Sequence, residues 1–594
     1  MLRSSEQFFN KSKMITRRMF VLSSAKIAIF VLIITRLFYL QISENIKYKT
    51  LSDKNRLREW KVPPQRGIIE DFFGNKIASN TQVFQLHMIP EDVPNLEELF
   101  FKLARIINFT ENQKNILLKR LKKRKPWEPI IISDNLSWSE FSKLNLFLHE
   151  VQGIKPVVAV ARKYLNDGSS SHLIGYVSEV SKKDLENSEL LREINVPGLK
   201  TGKSGLEKSF NSAIIGKPGF QRFEVNAYGK RIKELEFIQG TKGQNFRITI
   251  DSEVQKFATE IIKGKSGSIC ILDIYTGGVV AMVSCPTFDP NKFVHGISSN
   301  DWQSLIKNEK KPLINKAIAG LYPPGSTIKP IVALSALEND VVSPNFVVQC
   351  KGHMELYDQK YHCWKEKGHG FMNLRNAIKQ SCDIYFYEVA RRLGVDRLSE
   401  TLKKFGLGNK VFNIFNEEQP GVVPNTKWKL KNIGRGWVLG ETLIAGIGQG
   451  YFQTTPMQIC LMTAQLANGG YMIKPTIIYD QHSSVLKKLY RNPENVKFVN
   501  DALYAATNEP MGTSYRSRLV KSKYTYAGKT GTSQIRRITQ EERELKIKNE
   551  DLPYKLRDHA LFTAFAPYKN PRYAITVVIE HGGSGSSGAA PIAK

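Results

Sequence analysis

The sequence predicts a membrane-anchored protein in which a polar region precedes an α/β domain with a mainly antiparallel sheet flanked by helices. Three observations carry this prediction. Residues 19–40 are mostly apolar, and the stretch is about as long as a bilayer-spanning helix. The composition of the sequence changes from polar to more apolar near Thr241. Beyond that point, β-branched runs of strand length alternate with helical patterns, which is typical of an α/β domain.

The N-terminal stretch is predicted to anchor the chain with its N-terminus in the cytoplasm. Its two charges, Lys26 and Arg36, lie toward its ends and can extend to the headgroups. Five basic residues and one acidic residue precede it, and such positive charge stays on the cytoplasmic side. A cleaved signal peptide is disfavoured because no A-x-A-like site follows Leu40. We therefore expect a cytoplasmic tail over residues 1–18, a transmembrane helix over 19–40, and the bulk of the chain outside the cytoplasm.

Composition excludes several classes of protein. The 594 residues are enough for more than one domain, a hydrophobic content of 41% excludes a disordered chain, and six cysteines are too few for a disulfide scaffold. A formal net charge of +31 invites a nucleic-acid ligand. The dense basic run, residues 119–125, closes a helical-looking stretch that starts at Asn95, and a solvated helix end explains it. Because the anchor places this run outside the cytoplasm, no nucleic-acid partner is predicted.

The polar first region looks poor in strands, whereas the second begins with a clear hairpin signal. Tyr275 to Gly278 form a turn-like tetrapeptide between two apolar runs. Similar runs return near the C-terminus. The strands expected on this basis cover residues 268–274, 279–285, 559–566 and 573–580.

The first chemical motif is Ser326-Thr327-Ile328-Lys329. Residues three apart share a helix face, so the Lys329 amine can reach the Ser326 hydroxyl and act as its base. Pro330 has no N–H to donate to the Ser326 carbonyl, so Ser326 should lie at or before the helix N-cap. The same spacing occurs by chance elsewhere, for example at Ser304 and Lys307.

Two further motifs follow in a meaningful order. Ser381-Cys382-Asp383 comes 55 residues after Ser326, and Lys529-Thr530-Gly531-Thr532 lies near the C-terminus, after a possible strand over residues 524–527. Gly531 is expected to let a substrate backbone approach closely. Each motif is weak alone, but this order is typical of penicillin-recognising serine enzymes.

A fourth constellation predicts a metal site. Cys350, Cys363, His369 and Cys382 fall within 33 residues, and three thiolates with one imidazole form the closed tetrahedral set of a structural zinc. A disulfide is the alternative, since extracytoplasmic cysteines can pair. The alternative histidine ligands are His353 and His362.

On these motifs the chain resembles the class B penicillin-binding proteins, and within them the elongation-type subfamily called penicillin-binding protein 2. Residues 64–71 and 204–219 resemble two blocks of the family's pedestal, and residues 440–450 match the segment lining its transpeptidase cleft. Asp383 stands where the division paralogue usually has Asn. The resemblance covers nearly the whole chain. It implies an elongated α+β pedestal of the dimerisation type over residues 41–240, with a head insertion near 90–160, and a penicillin-binding transpeptidase domain over 241–594.

The resemblance also implies the reaction. Ser326 attacks the carbonyl between the terminal D-Ala residues of a peptidoglycan stem peptide, and a second stem-peptide amine resolves the acyl-enzyme into a cross-link. Lys329 is the base, which requires a pKa lowered by burial or nearby positive charge. The backbone N–H groups of Ser326 and Thr532 form the oxyanion hole. β-Lactams mimic D-Ala-D-Ala and acylate Ser326.

The remaining motif residues are implied to assist. Ser381 and Lys529 relay the proton to the leaving amine, and Asp383 orients that pair or the substrate amide. Thr530 and Thr532 bind the terminal carboxylate. Some members of the subfamily carry a structural metal at positions corresponding to the Cys/His set, with Asp often replacing Cys.

The implied partners are a polytopic glycosyltransferase, an elongasome scaffold protein and the lipid of the inner membrane, with the bulk of the chain in the periplasm. A division-specific transpeptidase, a membrane-tethered β-lactamase and a non-enzymatic β-lactam receptor or scaffold remain the alternatives. Nucleotide binding is not expected at residues 197–204, because Pro197 replaces the first glycine of a P-loop.

Overall fold

The computed structural model describes residues 3–594 except 47–48, 50–56, 108, 110, 123–125, 195, 197, 227–230, 481–486, 521–522, 537–540, 543–544, 546 and 548. The last three residues of the predicted basic run, 123–125, lie outside the described residues.

The elements up to residue 247 are, in chain order, α1 (Arg3–Phe38), β1 (Leu57–Val62), β2 (Ile69–Glu70), β3 (Lys76–Met88), α2 (Leu96–Ile106), α3 (Glu111–Leu121), β4 (Ile130–Leu136), α4 (Trp138–Leu146), β5 (Ile154–Tyr164), α5 (Ser171–Ile174), β6 (Val177–Glu179), α6 (Lys182–Asn187), α7 (Glu189–Ile194), β7 (Lys200–Gly202), α8 (Gly205–Ser209), α9 (Asn211–Ile214), β8 (Gly219–Val225), β9 (Arg231–Ile238) and β10 (Phe246–Arg247).

The elements that follow are α10 (Ser252–Ile261), β11 (Gly267–Asp273), β12 (Val279–Cys285), α11 (Asn291–Val294), α12 (Ser299–Lys307), α13 (Lys316–Ala319), α14 (Lys329–Glu338), β13 (Val347–Cys350), β14 (His353–Leu356), β15 (Gln359–His362), β16 (Gly370–Asn373), α15 (Leu374–Gln380), α16 (Asp383–Leu393), α17 (Val395–Lys404), α18 (Thr426–Ile433), α19 (Leu439–Gly446), α20 (Pro456–Ala467), α21 (Pro493–Asn508), β17 (Ala527–Ser533), β18 (His559–Ala566), β19 (Tyr573–Ile579) and α22 (Ala590–Ala593).

Among the described residues, a single helix is long and apolar enough to cross a membrane. Its apolar segment, Arg17–Ser43, has a mean hydropathy of 2.0 and is not buried against the rest of the chain. The predicted span, residues 19–40, falls inside this segment. The helix begins at Arg3 and ends in a π-helical turn, Tyr39–Ser43, so the described part of the predicted tail is helical.

The chain forms two compact units, which do not follow the predicted domain boundary at residue 240. One contains Met1–Pro64, Ile194–Val196 and Lys217–Thr241. The other contains Gln65–Glu193, Pro197–Gly216 and Lys242–Lys594. Most of the predicted pedestal therefore packs within the same unit as the predicted transpeptidase domain. The functional boundary between the two stays a prediction.

The expectation that the first region is poor in strands is wrong. Nine of the strands named above, β1 to β9, lie between residues 57 and 238. The apolar periodicity is weak because several strands are only half-buried: β1, for example, has no fully buried residue. The helical stretch predicted over residues 95–125 is two helices, α2 and α3, rather than one.

The first unit contains a small antiparallel sheet in the order β1-β8-β9. Trp60 on β1 packs edge-on against Phe223 on β8, with ring centroids 4.6 Å apart. Arg222 forms surface ion pairs with Glu59 and Glu236 on the two neighbouring strands.

Within the second unit, a sheet in the order β10-β2-β3-β4, with β5 on β3, carries a separate small core. Helix α2 begins at Asn95, whose side chain accepts the N–H groups of Glu97 and Glu98. Its buried face contributes Leu99, Phe100 and Leu103 to that core. Helices and strands of residues 86–154 thus form a local cluster, at the place of the predicted head insertion.

A buried ion network joins the two pedestal-like sequence blocks. Arg66 donates from Nε to Glu207 Oε2 at 3.0 Å, and Arg162 donates from Nε to Glu207 Oε1 at 2.6 Å. The Glu207 side chain is 0% exposed. Burial alone would raise the pKa of Glu207, but the charges of Arg66 and Arg162 outweigh it and hold that pKa below its ordinary value.

The central sheet of the second unit has the order β12-β11-β19-β18-β17, and every neighbouring pair is antiparallel. The predicted hairpin is confirmed as β11 and β12, and the predicted C-terminal runs are confirmed as β18 and β19. Helix α20, which is wholly buried, packs against β11, β18 and β19. Strand β17 lies at the edge of the sheet, so one side of its backbone has no strand partner within this sheet.

Candidate active site

Ser326 lies in a tight turn that leads into a buried helix. A 3₁₀ turn covers Gly325–Ile328, and α14 begins at Lys329. Pro330 is in the first turn of α14, where a missing N–H removes no helical hydrogen bond. Ser326 therefore precedes the helix, as the position of Pro330 predicts. Ser326 is partly exposed, whereas Lys329 is fully buried.

The Lys329 amine is held by the second motif. Its Nζ donates to Ser381 O at 3.0 Å, to Ser381 Oγ at 3.2 Å and to Asp383 Oδ1 at 2.7 Å. The ring of Phe386 lies beneath it, 5.3 Å from Nζ to the centroid. Ser381 and Asp383 thus supply three acceptors to the Lys329 amine. The contact with Ser326 predicted from the spacing is not one of them.

The second motif is a sharp turn between two helices. Ser381 ends α15 with φ 56° and ψ 41°, a left-handed conformation that is uncommon for residues other than glycine. Cys382 precedes α16, and Asp383 is the first residue of that helix. The second oxygen of Asp383, Oδ2, accepts the backbone N–H of Trp364 at 2.9 Å.

The third motif lies within strand β17 rather than after a strand. The strand predicted over residues 524–527 begins only at Ala527 and continues through the motif to Ser533. Lys529 is fully buried, and its Nζ donates to Thr530 O at 3.1 Å. The Thr530 hydroxyl donates to Thr513 Oγ1 at 2.9 Å. The backbone of this edge strand is thus presented beside the first two motifs.

A lowered lysine pKa is found at Lys529. Burial, and then the positive charge of Lys329, lower the pKa of Lys529 well below its usual value, although the Asp383 charge opposes the shift. The structure thus places a readily deprotonated amine in the cluster. The lowered pKa expected for Lys329 itself stays a prediction.

Close backbone approach brings the motifs together. Gly325 has φ +54°, and a Cβ there would lie 2.5 Å from Thr532 O. Gly448, from the cleft-lining segment, has φ +73°, and a Cβ there would lie 2.3 Å from Gly325 O. At Gly531, a Cβ would meet the Thr327 methyl at 2.7 Å. The turn that contains Ser326 therefore occupies the space at Gly531, and the role of Gly531 toward a substrate stays a prediction.

The four residues of the predicted metal site converge. One ligand atom from each of Cys350, Cys363, His369 and Cys382 lies within 4.8 Å of every other. His369 Nδ1 is 3.6 Å from Cys350 Sγ and 3.5 Å from Cys363 Sγ. All six cysteines of the chain are free thiols, so the disulfide alternative is not formed. His353, an alternative ligand, instead faces His362 across β14 and β15.

This donor set fits a tetrahedral zinc ion. Zn–S and Zn–N bonds of ordinary length give tetrahedron edges of about 3.5–3.8 Å, close to the distances from His369 Nδ1 to its two sulfur neighbours. The hydrogen bond with Cys382 is the main cause that lowers the pKa of Cys363, so one thiol of the set is readily a thiolate, the metal-binding form. Cys350, Cys363 and Cys382 are all buried.

Family models match most of the chain that follows the N-terminal helix. The penicillin-binding protein dimerisation domain matches residues 61–248, and the penicillin-binding protein transpeptidase domain matches residues 267–594. This chain is a class B penicillin-binding protein. Its transpeptidase domain is of the serine D,D-transpeptidase type, and it covers more than half of the chain.

Named relatives match this penicillin-binding protein over nearly its full length. The peptidoglycan D,D-transpeptidase MrdA of Haemophilus influenzae is 34% identical over 94% of this chain and 88% of its own length. MrdA of Escherichia coli is 32% identical over 98% of this chain and 94% of its own length. These matches favour the elongation-type subfamily over the division-type alternative.

Solved structures of penicillin-binding protein 2 have the same fold. The protein from Helicobacter pylori, in a complex with MreC, has a TM-score of 0.78 and 32% identity, covering 90% of this chain and 98% of that one. The protein from Pseudomonas aeruginosa, in a complex with WCK 5153, has a TM-score of 0.68 and 32% identity, covering 90% and 95%.

Several residues of this penicillin-binding protein hydrogen-bond to the motifs from outside them. Trp364 donates to Asp383, Thr513 accepts from Thr530, and Gln449 Nε2 donates to Thr532 O at 3.0 Å. Gln449 lies in the cleft-lining segment, so the sequence did point to its surroundings. Trp364 follows a predicted metal ligand, which is a weak signal. Thr513 has no sequence signal, because only the tertiary fold brings the segment after α21 beside β17.

Proposed function

We propose that this penicillin-binding protein is a peptidoglycan D,D-transpeptidase that cross-links stem peptides during cell elongation through an acyl-enzyme on Ser326. The observation that carries the proposal is the buried Lys329 amine, which sits on Ser381 and Asp383 one helical turn after a partly exposed Ser326. The identity to the MrdA transpeptidases over nearly the full chain supports the substrate and the elongation role.

In the acylation step, Ser326 Oγ attacks the carbonyl carbon between the two terminal D-Ala residues. The Ser326 proton passes to the neutral amine of Lys329 as the C–O bond forms. The negative oxygen is stabilised by the backbone N–H groups of Ser326 and Thr532, and the free edge of β17 supports this role for Thr532. The C–N bond then breaks, and the leaving D-Ala amine takes a proton through Ser381 and Lys529.

In the second step, an amine of another stem peptide attacks the ester carbonyl. The excess proton of the attacking amine passes to Lys329 and Lys529. The bond between Ser326 Oγ and the carbonyl carbon then breaks, and Oγ takes a proton. This step forms the cross-link and restores the free enzyme. The lowered pKa of Lys529 supports its part in this transfer, because an amine that is easily deprotonated can both accept and return a proton. Asp383 orients Lys329, and Thr530 and Thr532 bind the terminal carboxylate.

The test is intact-protein mass spectrometry after treatment with benzylpenicillin, followed by peptide mapping. We expect one penicilloyl adduct on the peptide containing Ser326, and its loss in Ser326→Ala. Ser304→Ala is the matched control, because Ser304 and Lys307 repeat the same spacing on the exposed helix α12.

Each other result has a distinct meaning. An adduct that persists in Ser326→Ala contradicts the nucleophile assignment. An adduct that forms and is rapidly hydrolysed favours a β-lactamase. A folded wild-type protein without any adduct favours a non-enzymatic scaffold.

A structural zinc ion at Cys350, Cys363, His369 and Cys382 is the second part of the proposal. The convergence of four soft donors within 4.8 Å supports it. A bound zinc would join β13, the loop after β15 and the start of α16, and would take no part in bond making. It would stabilise the folded cluster.

Metal analysis of the purified protein tests this assignment. We expect one zinc per chain in the wild type, and loss of zinc with a lower melting temperature in Cys382→Ser. Cys285→Ser is the matched control, because Cys285 is a buried thiol in a different core cluster. Absence of zinc from the wild type rejects the site.

The N-terminal helix is proposed to hold the chain in the inner membrane as a single span, with the N-terminus in the cytoplasm and both domains in the periplasm. The helix Arg17–Ser43 and the basic residues before it support this topology. Labelling of single cysteines introduced at residue 5 and residue 420 by a membrane-impermeant thiol reagent tests it. Only the cysteine at residue 420 should be labelled in intact spheroplasts. Labelling of the cysteine at residue 5 alone would show the opposite orientation.

An elongasome scaffold protein and a polytopic glycosyltransferase are the proposed partners. Support comes from the similar chains: one is in a complex with MreC, and another, 25% identical over 97% of this chain with a TM-score of 0.68, belongs to a peptidoglycan synthase complex. Co-purification of each partner with the full chain, compared with a chain lacking residues 1–40, tests which contacts need the membrane helix.

A further inference from the structure

A single tryptophan provides hydrogen bonds to two parts of the second motif. The Trp364 backbone N–H donates to Asp383 Oδ2 at 2.9 Å. Its indole Nε1–H is shared between Ser381 O at 3.1 Å and Gln380 O at 3.2 Å. Backbone and side chain of one residue therefore contact both ends of the turn that carries Ser381 and Asp383.

The turn that Trp364 contacts has a conformation that needs support. Ser381 has positive φ, although it carries a Cβ. Such residues persist at active sites where the surrounding contacts over-determine them. The Ser381 carbonyl has two lone pairs, and the two donors that reach it are Lys329 Nζ at 3.0 Å and the Trp364 indole.

The two oxygens of Asp383 are divided in the same way. Oδ1 accepts from Lys329 and Oδ2 accepts from Trp364. Lys329 therefore binds one side of the turn and Trp364 binds the other. Loss of the Trp364 donor leaves the Ser381 carbonyl with Lys329 alone, so the position of Ser381 Oγ relative to Lys329 loses one of its constraints.

We propose that Trp364 is a positioning residue, which holds the Ser381–Asp383 turn in the geometry that acylation of Ser326 requires. The inference rests on the proposed function, since it concerns the rate of that acylation. The indole N–H acts through Ser381 and does not contact the reacting atoms. Trp364 is 60% exposed, so shortening its side chain leaves little cavity in the core.

The test separates binding from reaction in the full-length, detergent-solubilised protein. The rate of acylation by benzylpenicillin, measured over a range of concentrations, gives the apparent dissociation constant and the limiting rate constant. In Trp364→Phe we expect the limiting rate constant to fall about tenfold, because a misplaced catalytic group slows the reaction step. We expect the apparent dissociation constant to stay within twofold.

A matched control and a second variant accompany this test. Trp302→Phe makes the same change on α12, at a partly exposed ring outside the site, and should keep wild-type kinetics. Trp364→Tyr also lacks a donor at the Nε1 position, since the tyrosine hydroxyl lies at the far end of its ring. It should therefore show the same fall if Trp364→Phe does not fold. Faster hydrogen exchange of the Ser381 and Cys382 amides, which bond to the end of α15, is expected in both variants.

The alternative results are distinct. A limiting rate constant within twofold of wild type in either folded variant overturns the inference. A weaker apparent dissociation constant with an unchanged limiting rate constant also overturns it, and assigns the exposed ring to ligand binding. Absence of acylation in the wild-type protein contradicts the proposed function itself.

Discussion

Two buried clusters in this protein combine one carboxylate with two basic side chains, yet they are built differently. In the pedestal-like region, Glu207 lies between Arg66 and Arg162 and accepts hydrogen bonds on both oxygens. At the candidate active site, Asp383 pairs with Lys329, and the charges of both residues shift the pKa of Lys529. The first cluster uses arginine and the second uses lysine.

The type of basic side chain, arginine or lysine, explains why the two clusters differ in what they can do. A guanidinium keeps its charge at any accessible pH and binds carboxylates with a rigid fork, so the Glu207 cluster is a permanent structural joint. An ammonium can lose its proton when it is buried near another positive charge, as the lowered pKa of Lys529 shows. A lysine cluster can therefore take part in proton transfer, as proposed for Lys329 and Lys529, whereas an arginine cluster keeps its charge and holds the structure.

The largest effect is expected on the acylation rate when arginine, the basic residue of the Glu207 cluster, replaces Lys329. Lys329→Arg keeps a cation beside Asp383 but removes a group that can act as a neutral base. We expect the acylation rate with benzylpenicillin to fall by about 10³-fold, within the usual contribution of a general base. Lys307→Arg, at the chance copy of the motif, is the control. A residual rate above one tenth of wild type would show that Lys329 is not the base.

The structural cluster should respond in stability instead. Glu207→Gln leaves two buried guanidinium groups without a counter-charge, and we expect a loss of about 3–5 kcal/mol in the free energy of unfolding, measured by the urea midpoint. Glu509→Gln is the matched control: Glu509 also meets two bases, Arg375 and Lys379, but its side chain is 31% exposed, so about 1 kcal/mol or less is expected. Equal losses in both variants would contradict the role of burial.

A smaller effect is expected from Arg162→Lys. Arg162 donates to Glu207 and also, from Nη1, to Gly67 O at 2.6 Å. A lysine lacks the planar guanidinium and cannot make both hydrogen bonds with the same geometry. We expect a loss of about 1–3 kcal/mol, read from the same urea midpoint. Stability equal to wild type would show that charge alone, and not the fork, holds the network.

The smallest effect is expected in how the stability contributed by the two clusters depends on pH. The folded-state pKa of Glu207 is below its unfolded value of 4.5, so its contribution to stability is complete above pH 4.5 and is lost as the pH falls toward the folded pKa. The folded-state pKa of Lys529 is below its unfolded value of 10.5, so the unfolded chain binds the extra proton and stability rises with pH up to 10.5.

Chemical denaturation across pH checks both windows. The stability difference between wild type and Glu207→Gln should shrink below pH 4.5. The stability of the wild type relative to Lys529→Met should rise with pH up to 10.5. Parallel curves for wild type and either variant would contradict the shift for that residue.

Much of the site was predictable because its signals are local in sequence. The position of Ser326 before a helix follows from Pro330, and the antiparallel pairing of β11 with β12 follows from the turn between them. The apolar helix at the N-terminus follows from length and composition. The strands of the first region were not predictable, because half-buried strands carry little periodicity.

By itself, therefore, the sequence determined the order of the three motifs, the family they belong to, the main antiparallel sheet and the presence of a membrane-length helix. Only the tertiary structure decided which groups meet. It brought Arg66 to Glu207 across 141 residues, placed the Trp364 donors on the turn of Ser381, and made Lys529 a base with a lowered pKa. Burial and charge proximity are properties of the packed chain, so short-range patterns in the sequence carry no record of them.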